Sequence, residues 1–265
     1  QRGATAIFVS YTLPPSLRLT DREHATLYLH RLRIPLPFLP IPPRNFCPYP
    51  RCASFPEHKE GRIPPEVAAV NGHDFVCGPK TDDRHELILH LIGDAARNES
   101  ACTVDYERHS NASADSKLTD CLLQWLDGSQ TALKLDPTIS CPFVTTHRRF
   151  AARNGPLAFH TRLAAAKNGK HLDGCNFQQC RFLPITFSTL GDIGPPESIT
   201  LLDSLFHLAQ ARERKEGSDG TYTARRRIVF YQSLQAAMAR GNHAIIAFTH
   251  NGRHPPHVPP TAAPP

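Results

Sequence analysis

A chain of 265 residues is long enough to bury a full core and to form one large domain or two small ones. No apolar run nears the roughly 20 residues that span a bilayer, and the N-terminus lacks the basic-then-apolar order of a signal peptide, so an intracellular chain without a membrane span is expected. The excess of 30 Lys+Arg over 24 Asp+Glu, gathered in "THRRFAAR" and "TARRRIVF", permits a polyanionic partner.

Eight cysteines and the sequons "NES" and "NAS" would suit a secreted disulfide protein. Against that, the chain is larger than scaffolds that need staples, and the cysteines share no uniform spacing. The first residue is Gln1, so a fragment or processed chain is expected.

In chain order, residues 22–34 carry a weak helical pattern that ends in the proline-rich "IPLPFLPIPPRN", and residues 1–46 read as a linker. From 47 to 80 the chain is poor in large aliphatics and rich in Pro, Cys and His, as in a module held by something other than a core. Within it Cys47 and Cys52 form one close pair, His73 and Cys77 a second, and a spacer of 20 residues separates them. Two short loops that each present two ligands, closed by a longer loop, are a common way to hold one tetrahedral zinc. Two unrelated cysteine pairs with a surface histidine would give the same spacing.

A packed α/β domain is expected over 81–250. Its first helix is predicted at about 84–97, with Asp83 and Glu86 as a capping box and Ile88, Leu91, Ile92 and Ala95 on one face. "CTVDYE" reads as a strand closing at Glu107. A polar loop leads to "CLLQWLDGSQTALKLDPTIS", a β-hairpin with turn chemistry at Asp127-Gly128. A second helix is predicted at about 156–171, with Pro156 in its first turn. Then come the strand "RFLPITFST", a third helix striped by Leu201, Leu202, Leu205, Leu208 and Ala209, and a fourth capped by Gly241. The tail 251–265 is expected to be disordered. Cys102, Cys121 and Cys141 fall on strands and read as small buried hydrophobes.

Asp120 and Asp136 sit just inside the two arms of the hairpin, and carboxylates on adjacent strands can share a metal ion. The helix that follows bears Lys167 and Lys170. Phosphodiester hydrolysis needs a divalent cation on carboxylates and gains from a nearby ammonium, so two Asp and a Lys suffice. Equally, Asp120 reads as a strand-end cap, Asp136 as the start of an Asp-Pro turn, and the lysines as solvated helix residues.

The succession "CPYPRC", "NGHDFVC", "RHELILHLIGDAA", "VDYE", "TDCLL", "LKLDPTIS", "AAAKNGKH" and "FLPITFSTLGDIG" resembles the C-terminal region of non-LTR retrotransposon polyproteins of the restriction-like endonuclease type, over about residues 25–240. The resemblance implies a zinc knuckle, then an Arg-His-opened helix and a PD-(D/E)XK-type core of β-hairpin and mixed sheet flanked by helices. Zinc would sit on Cys47, Cys52, His73 and Cys77, and magnesium or manganese on Asp120 and Asp136. Lys167 would be the catalytic lysine, carried on a helix, with Lys170 beside it and Glu107 as an accessory acid.

The implied activity is nicking of chromosomal DNA in the nucleus, so that a polymerase from the same polyprotein can prime reverse transcription. Double-stranded DNA is the implied partner, with Arg148, Arg149 and Arg153 on its phosphates, and element RNA is a second candidate. The sequence departs from the family at Thr119 (commonly proline), at Pro137 (usually β-branched) and at His171 (commonly tyrosine). Pro137 removes a ladder donor, so the strand must be an edge there or the site is distorted. A catalytically inactive nucleic-acid-binding module is the alternative.

Overall fold

The computed structural model describes residues 18–32, 80–106, 120–128, 130–142 and 145–251. The proposed zinc ligands Cys47, Cys52, His73 and Cys77, the accessory acid Glu107, Thr119 and the tail 252–265 lie outside these residues.

The architecture is mixed α/β: one five-stranded mixed sheet flanked by helices. Helix α1 (Asp21–Leu32) and helix α2 (Lys80–Ser100) precede β1 (Cys102–Tyr106), β2 (Cys121–Trp125) and β3 (Leu133–Ser140). Helix α3 (Thr145–Phe177) crosses to β4 (Arg181–Ser188) and a two-residue β5 (Ile193–Gly194). Helices α4 (Pro196–Ser204), α5 (His207–Lys215) and α6 (Thr221–Asn251) follow. The strands lie in the order β1-β2-β3-β4-β5, and β3 and β4 form the parallel pair. A parallel pair needs a long crossover, which α3 provides.

Strand alternation divides the sheet into two faces. Cys121, Leu123, Trp125, Leu133, Leu135, Ile185 and Phe187 project into one core with Ile88, Ile92 and Ala96 of α2 and Leu234 and Met238 of α6. The opposite face carries Leu122, Lys134, Asp136, Thr138, Phe182 and Thr186, and α3 covers it along β4. Cys102, Cys121 and Cys141 are buried free thiols, as expected, and burial pushes the Cys102 thiol up to about 11.

Several boundaries differ from the sequence expectation. Helix α2 starts at Lys80, so Asp83 lies inside its first turn with Asp82, where acidic groups favour the positive end of the helix dipole, and does not cap it. The second helix begins earlier, at Thr145, but its backbone breaks at Gly155 (φ 79°, ψ 176°), so Pro156 does open a new helical segment. The leucine stripe is split between α4 and α5 by a turn at Leu205-Phe206, where Phe206 N–H donates to the Asp203 carbonyl. β5 had no periodic signal in so short a run.

Gly241 is not a cap, since α6 continues to Asn251. A Cβ at Gly241 would collide with the buried Arg84 stem, so the glycine is a contact point between α2 and α6. Arg84 is fixed there: its guanidinium donates to Asn242 Oδ1 at 2.5 Å, and Asn242 Nδ2 donates to the Thr189 carbonyl at 2.8 Å. Gly93 serves α2 in the same way against Tyr106 and Val104 of β1. Both glycines read locally as helix breakers, and only the neighbouring element shows why they are kept.

Candidate metal and phosphodiester site

The hairpin register aligns Cys121 with Leu135 and Leu122 with Lys134, so its next step sets Asp120 opposite Asp136 on one face of the sheet. Asp120 N–H donates to the Leu135 carbonyl at 3.0 Å, the last backbone bond of that ladder. Beyond it no strand among the described residues flanks β3 on that side, while β3 continues beside β4 to Ser140. Successive residues direct their backbone groups to opposite neighbours, so Pro137 turns its nitrogen toward the side that β2 has left. Among the described residues the strand is therefore an edge where the proline falls, and no ladder donor is lost.

Asp136 is 2% exposed and carries most of the site's contacts. Lys167 Nζ on α3 donates to both of its oxygens, at 2.8 and 2.9 Å. His171, one helical turn further and fully buried, sets Nε2 3.0 Å from Asp136 Oδ2. Lys170 is exposed and is not among these partners. On the other arm, His85 Nε2 from the first turns of α2 lies 3.1 Å from Asp120 Oδ2 and 2.9 Å from the Pro137 carbonyl.

The electrostatics separate the two acids. Burial and the charge of Asp120 hold the Asp136 carboxyl above its usual range, and Lys167 only partly offsets them. Burial acts on Asp120 in the same sense, but the hydrogen bond and charge of His85 outweigh it, and its carboxyl lies low. Burial pulls the His85 imidazolium down, and Asp120 more than restores it. Two carboxylates within hydrogen-bonding reach of each other, one pushed toward protonation, form a pair that a cation would relieve.

The residues fit a hard divalent cation. Magnesium and manganese take oxygen ligands and are commonly held by one or two carboxylates, with water and substrate oxygens completing the shell. Among the described residues there is no cluster of three or more His, Cys, Asp and Glu arranged as a closed metal cage. Two carboxylates with waters completing the shell need no such cage.

Of the residues singled out in the sequence, Asp120, Asp136 and Lys167 come together, and Lys170 stands apart. Arg148, Arg149 and Arg153 are exposed on the first segment of α3. No acidic residue occurs from Pro137 to Leu172, so the crossover is cationic up to Leu172. At its break, Arg162 lies over the Phe150 ring at 4.8 Å, in an open groove shared with Asn154, Leu157 and Thr161.

His85, His171 and Lys134 were not read as site residues. Lys134 shares the Asp136 face through strand alternation, and His171 follows Lys167 at i+4, so both had a local signal. His85 had none in spacing or periodicity, because its partners lie 35 and 52 positions away; the resemblance marked it only as the histidine of the Arg-His-opened helix.

No protein-family model matches the chain, and no curated protein matches it in sequence.

Proposed function

We propose that this chain contains a restriction-endonuclease-like domain that hydrolyses DNA with magnesium or manganese, serving a retrotransposon protein by nicking target DNA to prime reverse transcription. The observation that carries the reading is the cross-strand placement of Asp120 and Asp136 on one face, with Lys167 on the second acid. The succession α2, β1–β3, α3, β4 agrees with the core that the sequence resemblance implies.

In this reading Asp120 and Asp136 hold the cation, which supplies Lewis acidity toward a phosphate oxygen and lowers the pKa of a bound water. Lys167 places an ammonium beside the pair, where it offsets charge developing on the phosphorane. His171 packs against Phe182 and keeps the Asp136 pocket closed on the helix side. Water adds its oxygen to phosphorus and the bond to O3′ breaks. The products are a 5′-phosphate and the 3′-hydroxyl that a polymerase extends. Supercoiled plasmid converted to open circles with magnesium, and not with EDTA, tests the activity directly.

The DNA would lie along α3, where Arg148, Arg149 and Arg153 contact phosphates without reading bases. Each neutralised phosphate adds roughly −0.9 to the slope of log K against log salt. Replacing the three arginines by alanine is expected to flatten that slope by about 2 to 3 units of the logarithmic plot. An unchanged slope would place the DNA on another face.

The proposed zinc knuckle of Cys47, Cys52, His73 and Cys77 would add a second contact to DNA or element RNA. One zinc per purified chain, lost in Cys52→Ser together with local order, is the expected result, since metal binding supplies the folding energy of such modules. Zinc retained at full stoichiometry in a Cys52→Ser, His73→Ala double variant would sink the knuckle.

One observation favours the inactive-module alternative. Lys167 engages both oxygens of Asp136, a closed ion pair that a binding module without catalysis would keep. Wild-type protein that binds duplex DNA and never nicks it with either metal decides for that alternative.

A further inference from the structure

The Pro137 carbonyl can only accept a hydrogen bond, so at 2.9 Å it fixes a proton on His85 Nε2. The same N–H is then shared with Asp120 Oδ2 at 3.1 Å, and a nitrogen so used has no lone pair left for a metal. The position it occupies is structurally particular. Asp120 is the residue before β2, at the end of its last ladder bond, and Pro137 is the first residue of β3 beyond that ladder. Asp120 has one backbone tie, to Leu135, and its side chain is a quarter exposed. Without His85 its carboxylate would keep only the contact with Asp136, and the Pro137 carbonyl would have no strand partner among the described residues.

We infer that His85 is a positioning residue of the carboxylate pair: one N–H from α2 pins the Asp120 carboxylate and the Pro137 carbonyl together, holding Asp120 against Asp136 for the cation. The inference rests on the two-carboxylate reading above and adds to it a residue on the opposite side of the sheet from Lys167. Outer partners of this kind orient a ligand whose own geometry would otherwise cost binding energy, and their loss typically weakens metal binding about 10- to 100-fold. The core packing of α2 does not depend on the imidazole, since Ile88, Leu89 and Ile92 carry it.

The test is Mn²⁺ titration calorimetry on the full chain without DNA, with thermal unfolding as a control for fold. Wild-type protein is expected to bind Mn²⁺ at a site lost in Asp136→Asn. His85→Ala should bind about 10- to 100-fold more weakly. His85→Gln, whose amide N–H reaches a similar point, should recover most of the affinity, whereas His85→Met, of similar length with no donor, should not. A merely structural histidine would show Gln and Met alike in affinity and different only in unfolding temperature. Equal Mn²⁺ affinity in the Gln and Met variants overturns the inference even if His85→Ala fails to fold. Wild-type protein with no Mn²⁺ site overturns the carboxylate reading itself, a distinct result.

Discussion

Asp136→Asn is expected to lower magnesium-dependent nicking by about a thousandfold while leaving the fold intact. Several kcal/mol of transition-state stabilisation pass through the metal, and each 1.36 kcal/mol is a factor of ten in rate. The substitution removes a charged ligand without changing shape. Asn at 136 keeps an oxygen for Lys167, and it relieves the repulsion that pushes the Asp136 carboxyl up against Asp120. The unfolding temperature should therefore stay level or rise, so lost activity cannot be ascribed to lost structure. Duplex binding, which the proposed reading places on α3, should be unchanged. Nicking retained by this variant at wild-type rate would remove Asp136 from the mechanism.

Lys167→Ala separates catalysis from metal binding. The ammonium lies on both Asp136 oxygens, so it would compete with a cation for them, and in the proposed mechanism it would also serve the phosphate. Its removal is expected to leave Mn²⁺ affinity equal or higher and to lower nicking by about 10² to 10³, the range for loss of one charged group aimed at the transition state. Lys170→Ala, exposed one turn further along α3, should change nicking less than threefold, a difference under about 0.7 kcal/mol. Alanine is well tolerated at both helical positions. Equal losses in the two variants would point to general electrostatics of the helix and not to a lysine at the site.

These contrasts define what the site must do as a unit. His85 and Asp120 on one side, Lys167, His171 and Asp136 on the other, meet where β2 stops and β3 continues. Ending one strand beside another exposes a carbonyl and opens space above it. A proline that would break an interior ladder is harmless at this point, and its carbonyl gains a side-chain donor from α2.

Much of this was legible in the amino-acid sequence because it depends on short-range periodicity. The hairpin arms, the strand at 181–188 and the helical faces follow from alternation and 3.6-residue spacing, and the burial of Cys102 and Cys121 follows from their place on strands, whereas Cys141 is buried just past the end of β3. The pairing of Asp120 with Asp136 followed from the hairpin, since a turn and two alternating arms bring residues near the strand ends together.

What only the tertiary structure decided depends on elements distant in the chain. Gly241 reads as a helix end until Arg84 of α2 is seen against it, and a packed contact outweighs the local helix penalty of glycine. The leucine stripe at 201–209 gives no sign of the turn at Leu205-Phe206, because both residues remain buried after the chain bends. Pro137 could be judged only once β2 was known to end at its side, and His85 could be assigned only once α2 lay beneath that opening. Side-chain period reports which face is apolar, whereas where a neighbouring strand ends is set by long-range pairing, which no local pattern encodes.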